Sequence, residues 1–321
     1  MEHLLEIEDL RVEFRTRDGV ANVVNGVHLG VGAGETLAVL GESGSGKSVT
    51  AAAVMGILDP AATVTGGSVR YRGEEVLAAS PQRRRELRGE HIAMIFQDAL
   101  AALNPVYTVG FQIAEQLRTR RGTDRRSARR RAVELLDLVG IPGAAARVDD
   151  HPHLFSGGMR QRAMIAMALA LDPDVLIADE PTTALDVTVQ AQIMDLLDEL
   201  RRERGMGLVL ITHDLGVVAE VADRAAVMYA GRIVEHADVG SLFAHPGHPY
   251  TRALLASQPR VGHELVPIRG LPPRLTAIPP GCPFHPRCPA VRDRCRDTLP
   301  PPVPLGAGRS SACHFAAELV R

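Results

Sequence analysis

A chain of 321 residues, 45% hydrophobic and 23% charged, can bury one substantial core and still carry a smaller appendage. A formal net charge of −2 gives no bulk argument for binding nucleic acid or an acidic membrane surface. Aromatics make up 3%, with no Trp, so the core is assigned mainly to Val, Leu, Ile, Ala and Met.

The opening MEHLLEIEDL has no basic region followed by an apolar run and a small-residue cleavage site, so no signal peptide is expected. The longest apolar stretches, residues 49–58 and 163–171, fall short of the roughly 20 residues a transmembrane helix needs. The expectation is a cytoplasmic chain that spans no bilayer.

Residues 5–14 and 23–31 read as strands around a turn at 17–19, and residues 35–40 as a buried parallel strand. A glycine-rich turn follows, then a helix predicted over 47–58. Residues 98–171 are helical in pattern and rich in arginine, with Arg118, Arg120, Arg121, Arg125, Arg126, Arg129, Arg130 and Arg131 close together. A solvated helix face and a nucleic-acid contact are the two readings. The lack of interleaved aromatics, with Glu134 and Asp137 nearby, favours the first. Strand-like runs at 174–179 and 208–212 then flank a helix near 188–204, whose Ile193, Leu196, Leu197 and Leu200 keep the 3.6 period. This alternation predicts an α/β parallel sheet. Beyond about residue 240 Pro, Gly and His increase, and a domain boundary is placed there.

Gly41-Glu42-Ser43-Gly44-Ser45-Gly46-Lys47-Ser48 is a full Walker A pattern between a strand and a helix. Its glycines let the backbone wrap phosphates, Lys47 neutralises their charge, and the Ser48 hydroxyl is placed to ligate Mg²⁺. The apolar run 175–178 ends in Asp179 and Glu180. An acid there suits Mg²⁺, which is assigned to Asp179, and the next carboxylate, Glu180, can polarise the attacking water.

Phe155-Ser156-Gly157-Gly158-Met159-Arg160-Gln161-Arg162 resembles the signature of ABC ATPases. A serine and two glycines at a helix start make either a helix cap or a second anion site. The family uses Ser156, Gly157 and Gly158 as such a site, closing over the γ-phosphate on a partner subunit's loop. Gln97 resembles the Q-loop glutamine that contacts Mg²⁺ and the water. Thr183-Ala184-Leu185-Asp186 resembles the D-loop, and His213 the switch histidine at the γ-phosphate. Phe14 is the candidate adenine-stacking aromatic. Met159 and Phe155 depart from the Gln and Leu usual in the superfamily.

The resemblance narrows to oligopeptide/dipeptide importer ATPases. It rests on Ile95-Phe96-Gln97-Asp98 with Leu103-Asn104-Pro105, on the run from Ala178 to Asp186, and on His245-Pro246-Gly247-His248-Pro249-Tyr250-Thr251. His245 and His248 read as metal ligands or, by preference, as a structural turn. The resemblance implies a P-loop NTPase core of the ABC type over residues 4–243. That core has an antiparallel β subdomain and an inserted helical subdomain at about 98–171, and a small C-terminal extension follows at 244–321. It implies ATP hydrolysis coupled to uptake of di- or oligopeptides, with nickel or another small solute as the alternative. A soluble ABC ATPase acting on nucleic acid or ribosomes is the more distant rival. Expected partners are a sister ABC ATPase in a heterodimer, two transmembrane permease subunits and an extracytoplasmic peptide-binding protein, with no nucleic acid. The chain is expected on the cytoplasmic face of the membrane as a peripheral subunit.

All four cysteines, Cys282, Cys288, Cys295 and Cys313, lie in the last forty residues. Thiols clustered in a cytosolic chain point to metal or redox chemistry. Some peptide-importer ATPases resemble this arrangement and carry a [4Fe–4S] cluster; Zn²⁺ and free thiols are the alternatives. A bound group would staple a Pro-rich tail with little core of its own.

Overall fold

The computed structural model describes residues 3–182, 185–257 and 267–320, the side chains of residues 100 and 101 apart. The chain divides into two compact units. One comprises Met1–Val31, Thr36–Leu77 and Leu210–Arg321, and the other Gly32–Glu35 and Ala78–Val209.

The first unit holds an antiparallel sheet begun by the two predicted N-terminal strands, His3–Thr16 and Gly19–Gly32. Leu5 and Ile7, then Leu10 and Val12, are buried, and this alternation slips by one residue at Asp9. Period-2 alternation can slip only where the strand bulges. Asp9 takes φ 46°, and the register with the antiparallel partner Ala62–Tyr71 shifts between Glu8 and Arg11. Opposite the bulge, a Cβ on Gly67 would lie 2.5 Å from the Asp9 carbonyl oxygen, so the close approach requires glycine. The sequence pattern left Ala62–Tyr71 out because Gly66-Gly67 reads as a turn.

The same unit contains Thr36–Leu40, buried throughout, as the expected parallel strand. It runs parallel to Arg224–Tyr229, which pairs antiparallel with Arg232–Asp238. The extension adds its own short strands, Ser310–Ser311 and Val303–Pro304, to the free edge of Arg232–Asp238. The helix Lys47–Met55 stops three residues short of the predicted 58, capped by Gly56, whose N–H reaches the Ala52 and Ala53 carbonyls. Aliphatic residues make most of the core, as composition requires. The exception is a knot of Tyr229, Tyr250 and Phe284, all but fully buried, with ring centroids 4.6–5.4 Å apart. Two of the three come from the extension, and they share one apolar cluster with Ala38, Leu40 and Val227. The tail, short of apolar residues, borrows the core of the sheet.

The second unit pairs Ile92–Ile95 in parallel with Val175–Asp179. Around them lie the helices Val109–Arg121, Arg125–Leu138, Gly157–Ala168 and Val187–Arg204. Thr108, Asp124, Ser156 and Asp186 cap these four helices, each accepting a backbone N–H of the first turn. Arg121 and Arg131 both reach Asp172, Arg129 reaches Asp149 and Arg131 also reaches Glu134, so much of the arginine run forms ion pairs within the unit. Among the described residues no helix is long and apolar enough to cross a membrane.

Candidate functional site

The glycine-rich loop leaves the strand Thr36–Leu40 in the first unit and runs into the helix Lys47–Met55. Gly41 has φ +149°, and a Cβ there would sit 2.2 Å from the Met228 carbonyl oxygen, so no side chain fits at the loop's start. Lys47, 6% exposed, curls back and donates from Nζ to the carbonyls of Gly41 (2.8 Å) and Glu42 (3.0 Å). The loop is shaped around its own lysine. Ser45 Oγ is buried with no hydrogen-bond partner among the described residues, as expected of a polar group in a loop built for a ligand. Ser43, Gly44 and Ser48 are exposed, while the Glu42 carboxylate is taken by Arg287 of the extension. His213, in the same unit, is exposed just before the helix capped by Asp214. Phe14 is half-buried on its strand, opposite Ala62.

The second unit brings Gln97 and Glu180 together. Gln97 Nε2 donates to Glu180 Oε2 at 2.9 Å, across 83 residues of sequence. Asp179 is buried at the end of its strand, and Glu180 takes φ 47°, a left-handed conformation that costs a non-glycine residue about 1–2 kcal/mol. The strain turns the second carboxylate off the strand line. Gln161, inside the signature helix and 6% exposed, donates to the Pro181 carbonyl at 2.5 Å and so braces the turn next to Glu180. Sequence reading gave Gln161 no role. The available signal was a polar residue at helical spacing with Met164 and Ile165, which are buried beside it in the helix.

Ser156 caps the signature helix, its Oγ accepting from Met159 N–H at 3.3 Å. A Cβ on Gly158 would meet Val189 and Leu185 at 3.5 and 3.7 Å, placing the signature glycine against the D-loop segment. Asp186 caps the next helix through Val189 N–H, while Thr183 and Ala184 lie outside the described residues.

In the extension, His248 is 1% exposed and its Nδ1 accepts Tyr250 N–H at 3.0 Å, starting the helix Pro249–Ala256. The buried Glu235 carboxylate accepts the N–H groups of Gly247 and His248 at 2.6 and 2.9 Å. This geometry is that of a structural turn. Burial holds the His248 imidazole neutral, with its pKa pushed down to about 3. Between that value and the ordinary 6.5 the unfolded chain binds the extra proton. Stability present above pH 6.5 is therefore lost as the pH falls toward 3, at up to about 1.4 kcal/mol per pH unit. Urea unfolding at pH 7, 6, 5 and 4 should show a steeper loss for the native chain than for His248→Asn.

No disulfide joins the four cysteines, and all line one small cavity of about 30 Å³ together with Phe284 and Arg292. Cys282 N–H donates to the Cys295 carbonyl at 2.8 Å, drawing the two segments together. Burial pushes the Cys282 thiol up to about 11 and raises Cys288 and Cys313 in the same direction. Among the described residues no three His, Cys, Asp or Glu side chains form a set that could hold a metal ion.

A strand, a glycine-rich loop bent around its lysine and the helix behind it define a P-loop nucleotide-binding protein. The ABC transporter family model matches residues 24–183, and the model of the oligopeptide/dipeptide transporter C-terminal region matches residues 234–295. The chain belongs to the ABC transporter ATPases and hydrolyses ATP. It is 51% identical over 97% of its length, and 94% of the relative's, to a Brucella abortus protein named as a peptide import ATP-binding protein. It is 50% identical over 90% of its length, and 88% of the relative's, to the dipeptide transport ATP-binding protein DppD of Bacillus subtilis. Among solved structures it resembles the dimeric ATP-binding cassette MJ0796 bound to ADP and Pi, with a TM-score of 0.67 and 26% identity over 73% of this chain and 98% of that one. It also resembles cbiO1 of Clostridium perfringens, with a TM-score of 0.64 and 28% identity over 76% and 92% of the two chains.

Proposed function

We propose that this chain powers import of di- or oligopeptides, paired head to tail with a sister ABC ATPase on the cytoplasmic face of the membrane. Two transmembrane permease subunits and an extracytoplasmic peptide-binding protein complete the assembly. The observation that carries this reading is similarity of about 50% along the whole chain, extension included, to proteins named for peptide import and dipeptide transport. The ATP-binding domain is assigned to residues 4–243, its helical subdomain to about 98–171, and the importer extension to 244–321.

Lys47 and the loop 41–48 hold the phosphates of ATP. Ser48, Asp179 and Gln97 offer hard oxygen donors that suit Mg²⁺, which when bound neutralises charge on the β- and γ-phosphates. Glu180 takes the proton of the attacking water, its orientation fixed by the Gln97 amide. His213 contacts the γ-phosphate, Phe14 stacks on adenine, and Asp186 lies at the dimer interface. Ser156, Gly157 and Gly158 offer an N-terminal helix site to the nucleotide of the sister subunit.

Cys282, Cys288, Cys295 and Cys313 serve as ligands of a structural [4Fe–4S] cluster. What supports the reading is that the four thiols line one small cavity, as the thiolate ligands of one group would.

The solute is tested with the reconstituted transporter and its binding protein. Di- to oligopeptides are expected to stimulate ATP turnover severalfold. Stimulation by Ni²⁺ chelates and not by peptides would keep the ATPase and remove the peptide assignment.

A further inference from the structure

The second residue of the phosphate loop is gripped by the C-terminal extension. Arg287 Nη1 and Nη2 donate to Glu42 Oε2 and Oε1 at 2.6 and 2.9 Å, a two-pronged contact across 245 residues of sequence. The Arg287 side chain is 4% exposed and that of Glu42 25%, so the pair is largely withdrawn from water. The guanidinium lies 5.8 and 5.9 Å from the ring centroids of Tyr229 and Phe284, and its Nε donates to the Arg269 carbonyl. Every prong is engaged in a fixed direction. From the other side, Glu42 N–H donates to the hydroxyl of the buried Tyr250 at 2.8 Å. The Glu42 carbonyl in turn accepts from Lys47 Nζ. Glu42 is therefore held at its side chain and its N–H by the extension, and at its carbonyl by the phosphate-binding lysine.

We propose that Arg287 is a positioning residue for the phosphate loop, through which the cysteine-bearing segment 282–288 sets the affinity for ATP. The inference rests on the reading of residues 41–48 as the phosphate site. Arg287 closes the short 3-10 turn His285–Arg287 and directly precedes Cys288, so anything that fixes the cysteines also fixes the fork that holds Glu42. Two physical effects follow from its loss. A half-buried carboxylate beside the phosphates loses its counter-charge, and the loop loses one of its braces. Both weaken nucleotide binding, while the carboxylate that handles water, in the other unit, is untouched.

The test measures the dissociation constant of a fluorescent ATP analogue with Mg²⁺ on the full chain, and ATP turnover in the assembled transporter. Arg287→Ala should weaken binding about tenfold or more, with turnover at saturating ATP within about twofold, because a buried forked ion pair is lost but no reacting group is. Arg287→Lys, which keeps the charge and loses the fork, should fall between. Adding Glu42→Gln to Arg287→Ala should restore most of the affinity, since it removes the stranded charge. If Arg287→Ala melts at a lower temperature yet binds the analogue like the native chain, the residue only staples the extension and the inference is overturned. Strictly additive effects of the two substitutions would overturn it as well. Should Arg287→Ala not fold, Arg287→Lys carries the same test. Lys47→Ala separates the two levels: native affinity in that variant defeats the phosphate-loop reading itself, whereas its loss beside a silent Arg287→Ala defeats only the positioning role.

Discussion

Glu180→Gln is expected to leave ATP bound and to slow its hydrolysis by about 10²–10⁴-fold, the usual contribution of a positioned general base. The substitution isolates the chemistry because it preserves the geometry. Glutamine has the length of glutamate and keeps one carbonyl oxygen to accept from Gln97 Nε2, which sits 2.9 Å from the native carboxylate. It also meets the same left-handed backbone at φ 47°, so it adds no new strain. What it loses is the capacity to accept a proton. Asp179, buried one residue earlier, is left as it was. The closed dimer should persist with ATP trapped, detectable as a stable ATP-dependent association with the sister subunit. Turnover near that of the native assembly would remove Glu180 from the role of base.

The second large effect is expected in the tail. Protein purified without oxygen should be brown, with broad visible absorbance that bleaches on reduction. Cys→Ser at Cys282, Cys288, Cys295 or Cys313 should abolish the colour. Each thiol is at least half-buried and lines the shared cavity beside Phe284, Pro249 and Arg292, so each substitution exchanges a thiol there for a more strongly hydrated hydroxyl. The extension should then loosen, seen as early proteolysis within residues 282–313. ATP affinity should fall by a factor like that of Arg287→Ala and not vanish, because Lys47 keeps its hold on Gly41 and Glu42. Stoichiometric zinc without iron would replace the cluster by a zinc staple. Neither metal, in protein kept from oxygen throughout, would leave four ordinary thiols.

Sequence alone determined the order of chemistry along this chain. The Walker A octet, the signature run and the two acids after residues 175–178 are contiguous, so these motifs, and the family they point to, can be read without folding. The parallel strands were legible because a strand buried on both faces is an unbroken apolar run. Three features needed the tertiary structure. Ala62–Tyr71 hides behind Gly66-Gly67, and its strand character appears only opposite the Asp9 bulge that requires a glycine. The tail reads as Pro-rich and poor in core, yet Tyr250 and Phe284 sink into the cluster around Tyr229, because burial depends on a neighbour supplied 20 and more residues away. Last, the contacts of Gln97 with Glu180, Gln161 with Pro181 and Arg287 with Glu42 join residues 83, 20 and 245 positions apart. No local pattern records such pairs. A hydrogen bond specifies direction and distance in space, and the chain carries that information only once its backbone has been placed.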